Sequence, residues 1–219
     1  MGKQLTILLI LTSTFLTSTL IHAEDGWIDL FDGKSLSGWK PSADEAAYTV
    51  TEGELRLQAT DGKISSHLFY VGDDDELDLF KDFELEVVAR AEGNSNSGIF
   101  FHSDMETRNR NGHLSNGYEV QLNSTEKEKR KTGSLYDVVD VSESLVDDTE
   151  GVTVRIRVEG KRIQVWVNDI QTVDYTEPGN VAEQRQGRVL RDSGGAIALQ
   201  AHDEDSIFFF KSVRIKPLP

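Results

Sequence analysis

From residue 24 onward nearly every segment of this chain alternates apolar and polar residues with a period of two, and that alternation restricts it to sheet. Phe83, Leu85, Val87 and Ala89 share one parity, with Glu84, Glu86 and Arg90 on the other. Val152, Val154, Ile156 and Val158 alternate with Thr153, Arg155, Arg157 and Glu159. Ile163, Val165 and Val167 alternate with Gln164, Trp166 and Asn168. Successive side chains of a strand point to opposite faces, so these runs predict strands with one dry and one wet face. Further strands are predicted at Trp27–Phe31, Tyr48–Thr51, Glu54–Gln58, Gly98–Ser103, Gly117–Asn123, Gly133–Val138, Ala196–His202 and Ile207–Lys216. Turn-forming pairs separate them, among them Asp32-Gly33, Glu52-Gly53, Asn111-Gly112 and Glu159-Gly160. No helical stripe of useful length competes. The expectation is all-β: a two-sheet antiparallel β-sandwich of the jelly-roll kind. Its irregular stretches, Val71–Asp78, Asp104–Asn116, Ser124–Lys131 and Pro178–Asp192, have the length of binding or mobile loops.

Residues 1–23 stand apart. Lys3 gives a positive start, Leu5 to Ile21 form a short apolar run, and Ile21-His22-Ala23 ends on a small residue. That order reads as a secretory signal and predicts export to a periplasm or beyond, leaving one domain over 24–219. Cysteine is absent, so the domain forms its core without cross-links. The formal charge is −15, and loss of Lys3 with the signal makes it −16. A field of that sign repels phosphate backbones and anionic lipid, which argues against nucleic acid and membrane partners. A neutral sugar is indifferent to it. No residue speaks to the oligomeric state.

Four blocks in order carry a family resemblance. The first runs from Gly26-Trp27-Ile28-Asp29-Leu30-Phe31 through Asp32-Gly33-Lys34 to Gly38-Trp39. The second is Ser97-Gly98-Ile99-Phe100-Phe101-His102 with Gly117-Tyr118-Glu119-Val120-Gln121-Leu122-Asn123. Thr132-Gly133-Ser134-Leu135-Tyr136 follows, with Val167-Asn168-Asp169 and Val173-Asp174-Tyr175. The last is Ala198-Leu199-Gln200-Ala201-His202-Asp203 with Phe210-Lys211-Ser212-Val213-Arg214-Ile215. Together they resemble the 3-keto-disaccharide hydrolase family over the whole chain after the signal. The resemblance implies a concanavalin A-like lectin and glucanase fold, action on 3-keto-glycosides, and a divalent metal in catalysis. The chain departs from the family pattern at Asp148-Thr149-Glu150-Gly151, where a Trp is usual just before the strand, and at Asn168-Asp169, where Asn-Gly is usual.

Strand parity bears on the same motifs. With Ile197, Leu199 and Ala201 inward, Gln200 and His202 point away from the core, as do Glu119 and Gln121 beside Tyr118 and Val120. With Ile99 and Phe101 inward, His102 shares the outer side with Phe100. These residues form the expected cluster: His102, Glu119 and His202 as catalytic groups or metal ligands, and Gln121 and Gln200 for sugar hydroxyls. Tyr136 and Trp166 are further substrate-binding candidates, Trp166 by stacking on a ring. A ketone at C3 acidifies the C2 proton, so a base, an acid for the leaving group and a stabiliser of the enolate complete an elimination. A divalent ion would polarise the ketone. On residue grounds alone, a His beside Phe100 is more often packed than catalytic, and a strand Glu is usually solvated.

Asp73-Asp74-Asp75-Glu76 and Asp203-Glu204-Asp205 read as solvated turns, lacking the alternate ligand spacing of a calcium loop. His67 and His113 lie outside the motifs and read as surface residues. Glu84 and Glu86 share a face as glucanase carboxylates do, but the surrounding signature is missing. A non-catalytic carbohydrate-binding module is the competing expectation, and a protein-binding scaffold a third.

Overall fold

The computed structural model describes residues 26–60, 64–186 and 188–219, so the signal expected over residues 1–23 lies outside the described residues. Thirteen strands are formed among the described residues: β1 Ile28–Asp29, β2 Trp39–Pro41, β3 Tyr48–Thr51, β4 Glu54–Leu57, β5 Ser66–Tyr70, β6 Phe83–Glu92, β7 Asn96–Ser103, β8 Tyr118–Asn123, β9 Val152–Glu159, β10 Arg162–Val167, β11 Ile170–Thr176, β12 Ala196–Ala201 and β13 Ile207–Pro217. The helical turn α1 at Val181–Gln184 lies in the loop before β12. One sheet runs β11-β10-β9-β6-β13-β4-β3, with β1 also on β13, and the other β2-β5-β12-β7-β8. All pairings are antiparallel. The chain is the two-sheet antiparallel sandwich that its periodicity predicts. Among the described residues no helix is long and apolar enough to cross a membrane.

The core lies between the sheets. Leu55, Leu57, Phe83, Leu85, Phe208 and Phe210 from the large sheet meet Leu68, Ile99, Phe101, Val120, Ile197 and Leu199 from the small one. Each such side chain contributes roughly 1.5–3 kcal/mol on leaving water. The outer faces differ. On the large sheet β6 and β9 alternate buried and half-buried residues, as a solvated face demands. There Glu84 pairs with Arg157, and Glu86 pairs with Arg155 at 3.3 Å and with Arg214 at 2.7 Å. Glu84 and Glu86 therefore sit in a ladder of cross-strand ion pairs, each worth about 0.2–1 kcal/mol.

The small sheet is buried on both faces: every residue of β7 and of β12 is buried, and four of five in β5. Its outer face carries a second apolar cluster, Phe69, Phe100, Leu114, Ala196 and Ala198, under the loops that follow β7 and precede β12. This double burial explains why alternation does not announce β5, whose sequence is Ser-His-Leu-Phe-Tyr. The expected strand at Gly133–Val138 is instead a series of turns. Ser134 Oγ donates to the Lys131 carbonyl and accepts from the Val141 N–H, and Asp137 takes a left-handed φ of 61°. The expected Trp27–Phe31 strand shrinks to β1.

Candidate active site

The outward side chains of the small sheet form the floor of a cleft, and register fixes which of them are neighbours. Gln200 of β12 lies opposite His67 of β5 and Ala198 opposite Phe100 of β7, while Gly98 and Phe100 face Gln121 and Glu119 of β8. Loops raise the walls: Arg108 and His113, Glu128, Tyr136, Arg185 and Arg188, and His202 just beyond β12. Two adjoining lobes share Arg108, His113, Glu119 and Tyr136.

Glu119 stands where the lobes meet, and no hydrogen bond or ion pair holds its carboxyl among the described residues. The strand opposite makes room for it: a Cβ on Gly98 would approach Glu119 Oε1 to 2.5 Å. Glycine is required there by close approach, not by backbone conformation. The side chain keeps partial exposure through the cleft, yet protein surrounds the carboxyl. Burial pushes its pKa up to about 8, with Arg108, Arg130 and Arg188 pulling the other way without forming a pair. At neutral pH the group is mostly a carboxylic acid, able to donate a proton.

His202 is held differently. Its Nδ1 lies 2.7 Å from Asp203 Oδ2 and donates to that carboxylate, which sets the orientation of the ring. Between His202 and Glu119 the floor carries buried polar atoms with no protein partner: His67 Nδ1, Gln121 Oε1 and Gln200 Oε1. Gln121 is oriented by Asn96, to whose Oδ1 its amide donates. His67 is fully buried beneath Phe100, whose ring it meets edge-on at 4.7 Å. Burial, reinforced by His113 and His202, lowers its pKa to about 3, so it is neutral. Unpartnered buried polar atoms are costly, and a bound ligand rich in hydroxyls would satisfy them.

The sequence model described as 3-keto-alpha-glucoside-1,2-lyase-like domain matches residues 26–216. The chain belongs to this family. A 3-keto-disaccharide hydrolase of Bacteroides thetaiotaomicron is 23% identical over 235 residues, spanning 89% of this chain and 79% of that protein. A structure from Parabacteroides distasonis, assigned as a glycosyl hydrolase, superposes with TM-score 0.68 at 21% identity, covering 89% of this chain and 94% of that one. A carbohydrate-binding module from Bacillus subtilis superposes with TM-score 0.56 at 17% identity, covering 82% and 96%. These likenesses show the lectin and glycosyl-hydrolase sandwich fold. Family membership makes the chain a glycosyl-hydrolase-like, carbohydrate-active protein.

Of the seven family-motif and strand candidates, the structure gathers Glu119, His202, Gln121, Gln200 and Tyr136 around the cleft. It does not bring His102 there. The pairing of β7 with β12 shifts register between Phe100 and Ser103, and His102 has a left-handed φ of 53°, so the parity argument fails by one residue. His102 is 1% exposed, stacks near Phe83, donates from Nε2 to the Lys81 carbonyl at 2.9 Å and accepts the Arg191 N–H on Nδ1 at 2.9 Å. Both nitrogens are committed to backbone, and the ring fastens the loop carrying Arg185 and Arg188. Trp166 is also elsewhere: it lies on the outer face of the large sheet with Arg155, Arg157 and Gln164.

Reading the sequence missed His67, His113 and Asp203 as parts of this family member's site. His67 and His113 are not surface residues but line or underlie the cleft, and Asp203, which forms the expected turn with Glu204 and Asp205, is also the partner of His202. The signal for His67 was a polar residue inside an unbroken buried strand. Arg108, Arg185 and Arg188 come from loops and carry no motif. Asn123, at the end of β8, is fully buried and donates to the carbonyls of Glu128 and Arg130. The divalent metal implied by the resemblance finds no ligand set: among the described residues no group of three or more His, Cys, Asp or Glu side chains is placed to hold an ion. His102 lies apart from Glu119 and His202, so the suggested trio is not assembled.

Proposed function

We propose that the protein is an exported enzyme that cleaves 3-keto-glycosides by elimination, with water then adding to the product. The observation that carries this reading is one cleft lined by two proton-transfer groups, Glu119 and His202. Burial raises the Glu119 pKa to about 8, and Asp203 orients His202 through Nδ1. His202 takes the C2 proton that the C3 ketone acidifies, and the electron pair is held as the enolate. As the enolate collapses, the C1–O bond breaks with its electrons, and Glu119 delivers its proton to the departing oxygen. The C1=C2 bond formed is conjugated with the ketone. Water adds at C1, its proton passing to the glutamate and the C2 proton returning from His202, which restores both groups. Gln121 and Gln200 offer the unpartnered polar atoms that hydroxyls would meet, and Tyr136 closes one wall.

The competing reading is a carbohydrate-binding module without turnover, favoured by the likeness to such a module. A binding site needs no acid of raised pKa in one cleft with a carboxylate-held imidazole. The deciding experiment incubates the purified protein with 3-keto-glucosides and follows aglycone release, with and without a chelator. Release that Glu119→Gln and His202→Ala each lower at least about 100-fold supports the enzyme. Sugar binding without release supports the module. Loss on chelation would assign polarisation of the ketone to a metal.

A further inference from the structure

The cleft has a second chemical character that elimination from a neutral glycoside leaves unused. The lobe containing Glu119 is walled by three arginines, Arg108, Arg185 and Arg188, in a chain whose net charge is −15. Arg188 is paired with Asp137 at 3.3 Å. Arg108 and Arg185 have no acidic partner among the described residues.

Arg185 is the unusual one. It is only 8% exposed, its guanidinium lies 4.1 Å from the centre of the Tyr118 ring, and one amino group donates to the Arg188 carbonyl at 2.8 Å. Its Nε is buried with no partner at all. A guanidinium taken out of water without a counter-charge is held at a cost of several kcal/mol, and folded proteins seldom keep one unless something completes it. Among the described residues no acid is placed to complete it. Glu177, beneath Tyr118, accepts from the tyrosine hydroxyl at 2.6 Å and from the Leu190 N–H at 2.6 Å, and faces Lys161 at 3.4 Å. Glu119 makes no pair with any of the three arginines.

We propose that this lobe is an anion subsite, in which Arg108 and Arg185, flanked by Arg188, bind a carboxylate or sulfate group on the glycoside, so that the natural substrate is an acidic sugar. The inference rests on the glycoside reading of the cleft and narrows its substrate class. Planar guanidinium groups suit such anions because two N–H donors match two oxygens. The raised pKa of Glu119 is consistent with it, since a neutral acid leaves the arginines free for the ligand, and a bound anion would hold the proton on Glu119 more firmly.

The test measures binding of D-glucuronate, D-glucose bearing a sulfate ester, and D-glucose to the full purified protein at low salt, by calorimetry. The expected result is that at least one acidic sugar binds about tenfold or more tightly than glucose, a difference of about 1.4 kcal/mol. Arg108→Gln, at an exposed position that spares the fold, is expected to collapse that ratio towards one. The preferred acid tells a carboxylate from a sulfate ester. Equal affinity for glucose and both acidic sugars overturns the proposal, and so does a preference that Arg108→Gln leaves intact. If Arg108→Gln weakens neutral and acidic sugars alike, the arginine serves the sugar itself and the subsite is again overturned. The two readings separate cleanly. Release from neutral 3-keto-glucosides without an acidic preference removes the subsite and keeps the enzyme. An Arg108-dependent acidic preference without release from any 3-keto-glycoside keeps the subsite and removes the elimination.

Discussion

Gly98→Ala probes Glu119 without touching it. A Cβ at position 98 would lie 2.5 Å from Glu119 Oε1, 3.0 Å from its Cδ and 2.9 Å from Phe100 Cε2. Ordinary contact needs about 3.5 Å, so the carboxyl must retreat by roughly 1 Å. The Gly98 backbone is not in the left-handed region, so the methyl adds no backbone strain. The carboxyl ends a flexible side chain, but the packed Phe100 ring must also shift, an overpacking cost of about 1–3 kcal/mol. Alanine is favoured over glycine within a strand by about 0.5–1 kcal/mol, so the net loss is about 1 kcal/mol and the melting temperature is expected to fall by a few degrees. Activity responds differently, because a displacement of about 1 Å of a proton donor can cost roughly 100-fold. The assay is kcat/KM for aglycone release from a nitrophenyl 3-keto-glucoside, beside a thermal melt of the same preparation. A melt within a few degrees of wild type and a loss of that order bear out the reasoning. A kcat/KM within twofold of wild type refutes it, since the carboxyl would then have no positional role. A large fall in melting temperature would refute the premise that the carboxyl, rather than the sheet, gives way.

Further outcomes follow from the buried groups. The pKa of Glu119 is raised from an ordinary 4.5 to about 8, so between those values the folded chain keeps a proton that the unfolded chain has lost, and stability falls as pH rises through that window. Glu119→Gln removes the titration; its melting-temperature advantage over wild type is expected to grow between pH 4.5 and 8, and a constant difference would count against the assignment. His102→Ala strips partners from the Lys81 carbonyl and the Arg191 N–H, an expected loss of about 2–4 kcal/mol in urea unfolding. Burial holds His102 below the ordinary 6.5, so the unfolded chain takes up the proton first as pH falls; the wild type loses stability below pH 6.5 and the variant loses less. Trp166→Ala, on the opposite sheet, is expected to leave kcat/KM unchanged, and a tenfold loss would return Trp166 to the list of sugar contacts.

The sandwich was legible because the large sheet has one dry and one wet face. Alternation at Phe83–Arg90 and Val152–Glu159 is a direct imprint of that asymmetry, and the family motifs placed Glu119, Gln121, Gln200 and His202 on the outer side by parity alone. The small sheet was harder to read because loops bury its outer face as well, which erases the alternation and hid β5 together with His67. Parity is also a counting argument, and one irregular residue defeats it. The register shift between Phe100 and Ser103 turned His102 from the cleft to the backbone of the neighbouring loop. What the sequence determined by itself is therefore the periodic part: strands, sheet faces and the polar side chains that regular strands project. What only the tertiary structure decided is the environment that loops create. The burial that keeps Glu119 protonated, the Asp203 that holds His202 and the uncompensated charge of Arg185 arise from residues far apart in the chain, and no local pattern encodes the distance between them.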